Sequence, residues 1–413
     1  MDLNKFRQRV LEDEAGTWAE VLELKELSPV ALREKVRVVS REREEALVRG
    51  VEVVQGVLKV LEAAGFDPRI MEPGHGSGHL TRDYVHALQL LSRLEADPRD
   101  IFIGLVAGTL HDIGCAFIER YAEAGRAVRH AEVGALALDQ VFREASLGLN
   151  EAEQKLIQYA VAAHTHYLKP SEVLCGDGVK RQIEPYVDMG CDGQPIFSVW
   201  LPRWIDRLEI NGPGFVARHF LTLATTHKDW SGKDFFTVEF AGHLRPLLRT
   251  DEDIKTTGGN RTMLEHLFFY YRSQSNGSPY GQYDYGRMVE LRERQKGRLN
   301  RIIEMAHRQF APLEPNRVLK AWQVFLENTI EPTTKHSGVA QQLCADFTKL
   351  DDWTKNSWLD GFDTVMREYV DWSRSVLEDL KVLNFAWRHL PAVAKDVEGF
   401  ICPKMEWTGL LYL

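Results

Sequence analysis

His111 and Asp112 stand side by side at the end of LVAGTLHDIGC, residues 105–115, a run that is otherwise apolar or small and that stops at Gly114. An imidazole and a carboxylate buried there without partners would each cost about 1–3 kcal/mol, and more if charged, so the chain has to satisfy them. A hydrogen-bonded pair would do so. A metal ion would also do so, because neutral imidazole with carboxylate suits zinc, iron or manganese. Residues of the same competence lie on both sides in the chain: His79 in GHLTRDYVHALQLL, His130 in RHAEVGALALDQVF, His164 and His166 in AVAAHTHY, and Asp206 in WLPRWIDRLE.

Helices are needed to position these residues. At about 100° per residue from His79, the apolar Leu80, Tyr84, Leu88, Leu91 and Leu94 cluster between about 60° and 180°. His79 therefore falls at the edge of a buried face with His86, and His75 precedes the helix. His111 and Asp112 close a segment apolar on every side, with Gly114 as its stop. His130 opens the next helix, whose inward side carries Val133, Ala137 and Val141. Asn150 and Glu153 make a capping box, and Ile157, Ala160, Val161 and His164 follow as an i, i+3, i+4, i+7 stripe. His164 thus sits where a core residue belongs, while His166 falls off the stripe. Trp200, Leu201, Trp204, Ile205 and Leu208 bury one side of the last helix, and Asp206 lies roughly opposite Leu201 and Leu208. Taken singly, each histidine also suits a plainer role as a core residue bonded to a carbonyl, and Asp206 suits a surface contact with Arg203.

Over residues 75–212 the order and spacing of these residues resemble the HD superfamily of metal-dependent phosphohydrolases. The resemblance rests on a histidine on one helix, the adjacent pair of HDIG, further histidines, and the aspartate of DRLE about a hundred positions later. It implies an all-α fold, an HD-domain helical bundle, and a metal held by His79, His111, Asp112 and Asp206. RHAEVGA is similar to the second-metal histidine motif of the dinuclear subgroup, and AAHTHY to its later histidine element. These imply two divalent transition metal ions, of Fe, Mn, Zn or Ni. Asp112 would bridge them, with His79, His111 and Asp206 on one, His130 and His164 on the other, and His166 in reserve. The Gly-Tyr-Pro motif of the cyclic-di-GMP branch is absent from HTHYLKPSEVLCGDG, and HDIGCAFIER departs from the dNTP-triphosphohydrolase pattern.

Two such ions about 3.5–4 Å apart hold a hydroxide between them, lower its pKa and clamp the attacking and leaving oxygens of a phosphoryl displacement. The expected activity is hydrolysis of a phosphate ester or nucleotide, with Asp112 as the bridging ligand beside the metal-bound hydroxide. Lys169, Arg207, Arg203 and Arg129 lie close in sequence to the ligands and are the cations for the phosphate oxygens. An alternative is an HD-type di-iron oxygenase cleaving a C–C or C–P bond, since myo-inositol oxygenase and organophosphonate-cleaving HD enzymes resemble the same ligand pattern. A non-catalytic HD-domain sensor or scaffold is a third reading, against which the filled ligand positions argue.

At 413 residues the chain exceeds what one core usually holds. We expect an N-terminal helical extension over 1–70, the metal-binding domain over 71–213, and a mostly helical C-terminal region over 214–413. Residues 31–64 form helix up to a stop at Gly65, and 175–195 read as one long loop. FFTVEFAGHL marks a small β element in the last region, ahead of an aromatic run with Tyr270, Tyr271, Tyr280, Tyr283 and Tyr285. A net charge of −9 gives no footprint for a nucleic-acid polymer, so the expected partner is a small phosphorylated molecule. A homo-oligomer stays open. Five scattered cysteines without a C-x-x-C pair point to a reduced cytoplasm. The longest apolar run, IFIGLVAGTL, is well short of the ~20 residues a membrane span needs.

Overall fold

The computed structural model describes residues 2–12, 20–21, 23–37, 43–65, 83, 87, 91, 96–117, 126–165, 171–174, 180–183, 186, 190–191 and 194–210. His75, His79, His86, His166 and Lys169 lie outside the described residues, as do the side chains of Arg129 and Arg207. So does everything beyond residue 210, including the β element and the tyrosines expected there. Met1–Arg207 belong to one compact unit, and Leu208–Ser278 with later stretches to a second.

The first unit is an all-α bundle with two short ribbons. Its helices are α1 (Leu3–Glu12), α2 (Pro29–Glu34), α3 (Arg43–Ala63), α4 (Pro98–Leu110), α5 (Arg126–Glu144), α6 (Glu151–Ala163) and α7 (Phe197–Ile210). Between α4 and α5 a 3-10 turn spans Ile113–Ala116. Strand β1 (Ser171–Leu174) pairs antiparallel with β2 (Lys180–Ile183), and β3 (Gly190–Cys191) with β4 (Gln194–Pro195). The stretch expected to be one long loop is therefore partly paired. Strands of four and two residues are too short to print a two-residue period on the sequence. No helix among the described residues is long and apolar enough to cross a membrane.

The central helix is α4, started by Asp97, whose side chain accepts from the Arg99 N–H, and by Pro98 in the first turn. Every residue from Asp100 to Leu110 is buried. α3 and α6 pack on it directly, and α5 packs on α6. Gly104 and Gly108 make room for α7. A Cβ on Gly104 would lie 2.4 Å from Leu201 Cδ2, and one on Gly108 would lie 2.4 Å from Ile205 Cδ1. Trp200, Leu201, Trp204 and Ile205 of α7 are buried, as their helical spacing predicts. Leu91 is helical and buried too, in keeping with the stripe read from His79 onward, and Asp83 and Ala87 join it at spacings of four.

The helix expected over 31–64 is two helices. α2 stops at Glu34, and at Arg37 the backbone N–H donates to Glu153 Oε1 at 3.1 Å instead of continuing the helical ladder. α3 ends as expected at Gly65, whose φ of +88° lies in the left-handed region that favours glycine.

Glu153 ties the N-terminal helices to the bundle. The capping box is present, with Glu153 N–H donating to Asn150 Oδ1 and Asn150 N–H to Glu153 Oε2, each at 2.8 Å. The same carboxylate, fully buried, accepts from Arg37 Nη2 at 3.0 Å and Arg49 Nη2 at 2.7 Å. Arg49 in turn lies 3.9 Å over the Phe102 ring, so α3, α4 and α6 meet on one pair of charges. A second pair, Arg33 with the buried Asp100, closes α2 on α4 at 2.6 Å.

Burial opposes the charge on Glu153, but the bonds from Arg37, Asn150 and Arg49 outweigh it and hold the carboxyl below its ordinary value of 4.5. Because the folded value is the depressed one, this contribution is complete above that ordinary value and is lost as pH falls through the folded one. Glu153→Ala should therefore cost about 3–5 kcal/mol in urea denaturation at neutral pH, since it takes the carboxylate from the largely buried Arg49 and undoes the capping box. Glu153→Gln should be less stable at neutral pH and show a shallower loss of stability on acidification. An unchanged denaturation midpoint in Glu153→Ala would show that these charges do not tie the helices together.

Candidate metal centre

The two ends of buried helices meet here. His111 is the C-cap residue of α4 and His164 that of α6, so both side chains leave a helix where the last carbonyls have no helical partner. Each ring uses one of those carbonyls. His111 Nδ1 lies 2.7 Å from the Gly108 carbonyl oxygen, and His164 Nδ1 lies 2.6 Å from that of Val161. A carbonyl only accepts, so each Nδ1 carries a proton and donates it, which leaves the Nε2 atoms facing inward. The negative ends of both helix dipoles point the same way and favour a cation between them.

Asp112 occupies the middle. Its Oδ2 lies 3.5 Å from His111 Nε2, while its Oδ1 lies 3.1 Å from His130 Nε2 and 3.2 Å from His164 Nε2. The two imidazole nitrogens of His130 and His164 are themselves 3.1 Å apart. His111 and His164 meet edge to face with ring centroids 4.5 Å apart. All four side chains are buried. Burial, with the neighbouring His111 adding to it, pushes His164 down to about 4 against the pull of Asp112, so this ring is neutral at physiological pH.

A proton count then tests whether the group suits a metal. With His164 neutral and its proton on Nδ1, its Nε2 faces Asp112 Oδ1 with a lone pair against a carboxylate oxygen. That contact repels unless a proton or a cation lies between the atoms. Donor atoms on one zinc- or iron-sized ion, about 2.0–2.2 Å from it, stand about 3.0–3.5 Å from each other, and the observed 3.1–3.2 Å falls in that range. The residues fit a metal.

The close approach depends on Gly114. A Cβ there would lie 1.8 Å from the His130 carbonyl oxygen and 2.6 Å from the Gly134 nitrogen. Gly114 is thus not a left-handed helix stop: among the described glycines only Gly65 and Gly148 have positive φ, and α4 ends four residues earlier, at Leu110. Its role is to let the 3-10 turn rest against the backbone of α5. His130 likewise does not open its helix, because α5 begins at Arg126 and puts it in the second turn, buried. No Gly or Pro stands between Arg126 and His130, so the helix runs through this stretch and a capping role is excluded.

The other expected site residues are spread more widely. Asp206 is half-buried on α7, one residue after Ile205, which packs on Gly108. Neither of the two ligand-type groups that converge among the described residues, His111 with Asp112 and His164, or Asp112 with Cys115 and His130, contains it. Arg203 Nη1 donates to the His164 carbonyl oxygen at 2.5 Å, which fixes the end of α6. Two buried residues escaped the sequence reading. Asp83 Oδ2 lies 3.9 Å from His111 Nε2, and the signal for it was its place four residues after His79 on one helical face. Cys115, a buried thiol outside any disulfide, stands three residues after Asp112. Comparison with protein-family models, with curated proteins and with solved structures returned no match.

Gly114→Ala should destabilise the protein by at least about 1–3 kcal/mol, because the obstructing atoms are backbone and cannot rotate away. Thermal denaturation with and without zinc checks it. A variant that keeps the wild-type midpoint and the wild-type gain on adding zinc would show that the turn does not need this contact.

Proposed function

We propose that this chain is a metal-dependent phosphohydrolase of the HD type, with two divalent transition ions held at the centre built on Asp112. The observation that carries the reading is the buried triangle of Asp112 Oδ1, His130 Nε2 and His164 Nε2, three ligand-type atoms 3.1–3.2 Å from one another. Asp112 offers its second oxygen to His111, so the carboxylate has a face for each of two ions. His111, and by the sequence resemblance His79 and Asp206, would hold one ion, and His130 and His164 the other. Two ions so placed lower the pKa of a coordinated water and neutralise the oxygens of a phosphoryl group.

The residues of the chain do the rest. The Gly108 and Val161 carbonyls fix the tautomer and aim of His111 and His164, and Arg203 holds the end of α6 through the His164 carbonyl. The apolar walls of α4 and α6 keep bulk water from the ligands, which strengthens every charge interaction inside. The partner this chemistry suits is a small phosphorylated molecule, with Lys169, Arg129 and Arg207 as the cations for its outer oxygens.

The test is metal analysis of protein purified without added metal, followed by turnover of a panel of phosphate mono- and diesters with manganese, nickel or zinc. We expect two ions per chain and hydrolysis of at least one ester class. Asp112→Ala should lose both ions while keeping its helical circular dichroism. One ion surviving in that variant would refute the bridging role. Two irons with a mixed-valence paramagnetic signal and no ester turnover would replace the hydrolase with an oxygenase.

A further inference from the structure

Cys115 belongs to the same centre by geometry. A 3-10 helix has three residues per turn, so side chains three apart eclipse one another. Here Asp112 precedes the turn and Cys115 lies within it, with the Cys115 N–H bonded to the Asp112 carbonyl at 2.9 Å. The two side chains are therefore brought to one side of the turn. Gly114, without a Cβ, presses that turn on the carbonyl of His130. The result is a second group of ligand-type side chains, Asp112, Cys115 and His130, all buried and with donor atoms within 4.8 Å of one another.

We infer that Cys115 is a metal ligand, supplying a thiolate to the ion that Asp112 and His130 face. The inference rests on the dinuclear reading above. As the sulfur–metal bond forms, the thiol proton leaves to solvent and no oxidation state changes. The longer metal–sulfur bond, about 2.3 Å against about 2.0–2.1 Å for imidazole, accommodates a donor set spaced more widely than the His130–His164–Asp112 triangle. Sulfur also changes selectivity. A soft ligand favours zinc, iron(II) or cobalt(II) over manganese and magnesium, so this half of the centre discriminates among ions that an all-nitrogen-and-oxygen set would treat more evenly. Packing alone, with Cys115 as a small apolar filler, would give no such preference.

The experiment loads cobalt(II) into the full chain and reads the near-ultraviolet thiolate-to-cobalt charge-transfer absorption together with the cobalt count. The absorption should be present in the wild type and absent from Cys115→Ser. Zinc affinity in that variant should fall by at least about tenfold, with manganese affinity little changed. Zinc X-ray absorption on the wild type gives a check that needs no variant, a zinc–sulfur shell at about 2.3 Å. Cobalt bound without that absorption, absorption that survives in Cys115→Ser, or zinc without a sulfur shell overturns the role of Cys115 and leaves the dinuclear reading standing. Wild-type protein that binds no cobalt and no zinc fails the dinuclear reading, and the thiolate goes with it.

Discussion

A buried carboxylate with three imidazoles around it is the constraint on which the rest of the molecule depends. Asp112 is nearly inaccessible, and a charge at that depth is tolerated only beside a compensating positive centre. Among the described residues the rings of His111, His130 and His164 lie within 3.5 Å of it. His164 is driven toward its neutral form by burial and by His111, and the carbonyls of Gly108 and Val161 absorb the Nδ1 protons that would otherwise be free to serve Asp112. A cation shared among these atoms would supply that positive centre. The helix ends reinforce this, since α4 and α6 both turn their carbonyl-rich termini toward the carboxylate.

Side chains of this length meet only if the backbones come close, and small residues permit that. Gly114 and Gly134 face each other across the 3-10 turn and α5, with a Cβ on Gly134 already 3.1 Å from the Gly114 nitrogen. Gly104 and Gly108 do the same between α4 and α7, and so seat Asp206 on a helix locked beside the His111 turn. Glycine carries a conformational cost inside a helix of about 1 kcal/mol relative to alanine. Here the tighter packing of Leu201 and Ile205 against α4 offsets it.

Further out, the ion pairs on Glu153 and Asp100 anchor the N-terminal helices to the bundle. They also reach the centre indirectly. Arg49 and Glu153 set the position of α6 at its first turn, and Arg203 holds its last turn, so His164 is delivered from a helix fixed at both ends. Phe6 of α1 meets Phe117 edge to face at 5.0 Å, which covers the end of the 3-10 turn from the other side. The N-terminal segments therefore support the ligand turn as well as extending the bundle.

Local signals in the sequence were enough for whatever depends on neighbours three or four residues apart: the capping box of Asn150 and Glu153, the stop at Gly65, the buried stripe ending in His164, and the burial of His111 with Asp112. Periodicity reads which face of a helix is apolar, and these follow from that. What it cannot read is how one element stands against another. The part of Gly114 was misread as a helix stop because its glycine requirement comes from the carbonyl of His130, sixteen positions away. The break between α2 and α3 was missed because the atom that takes the Arg37 N–H lies on α6. Asp83 shared only a helical spacing with His79, and Cys115 carried no distinction in a one-dimensional pattern; a helix face and an eclipsed 3-10 turn brought them beside His111 and His130. Residue types and their order determined that a polar, metal-competent group would be buried. The tertiary structure alone decided which atoms meet and at what distance, because contacts between chain-distant groups are set by backbone approach and helix-end direction.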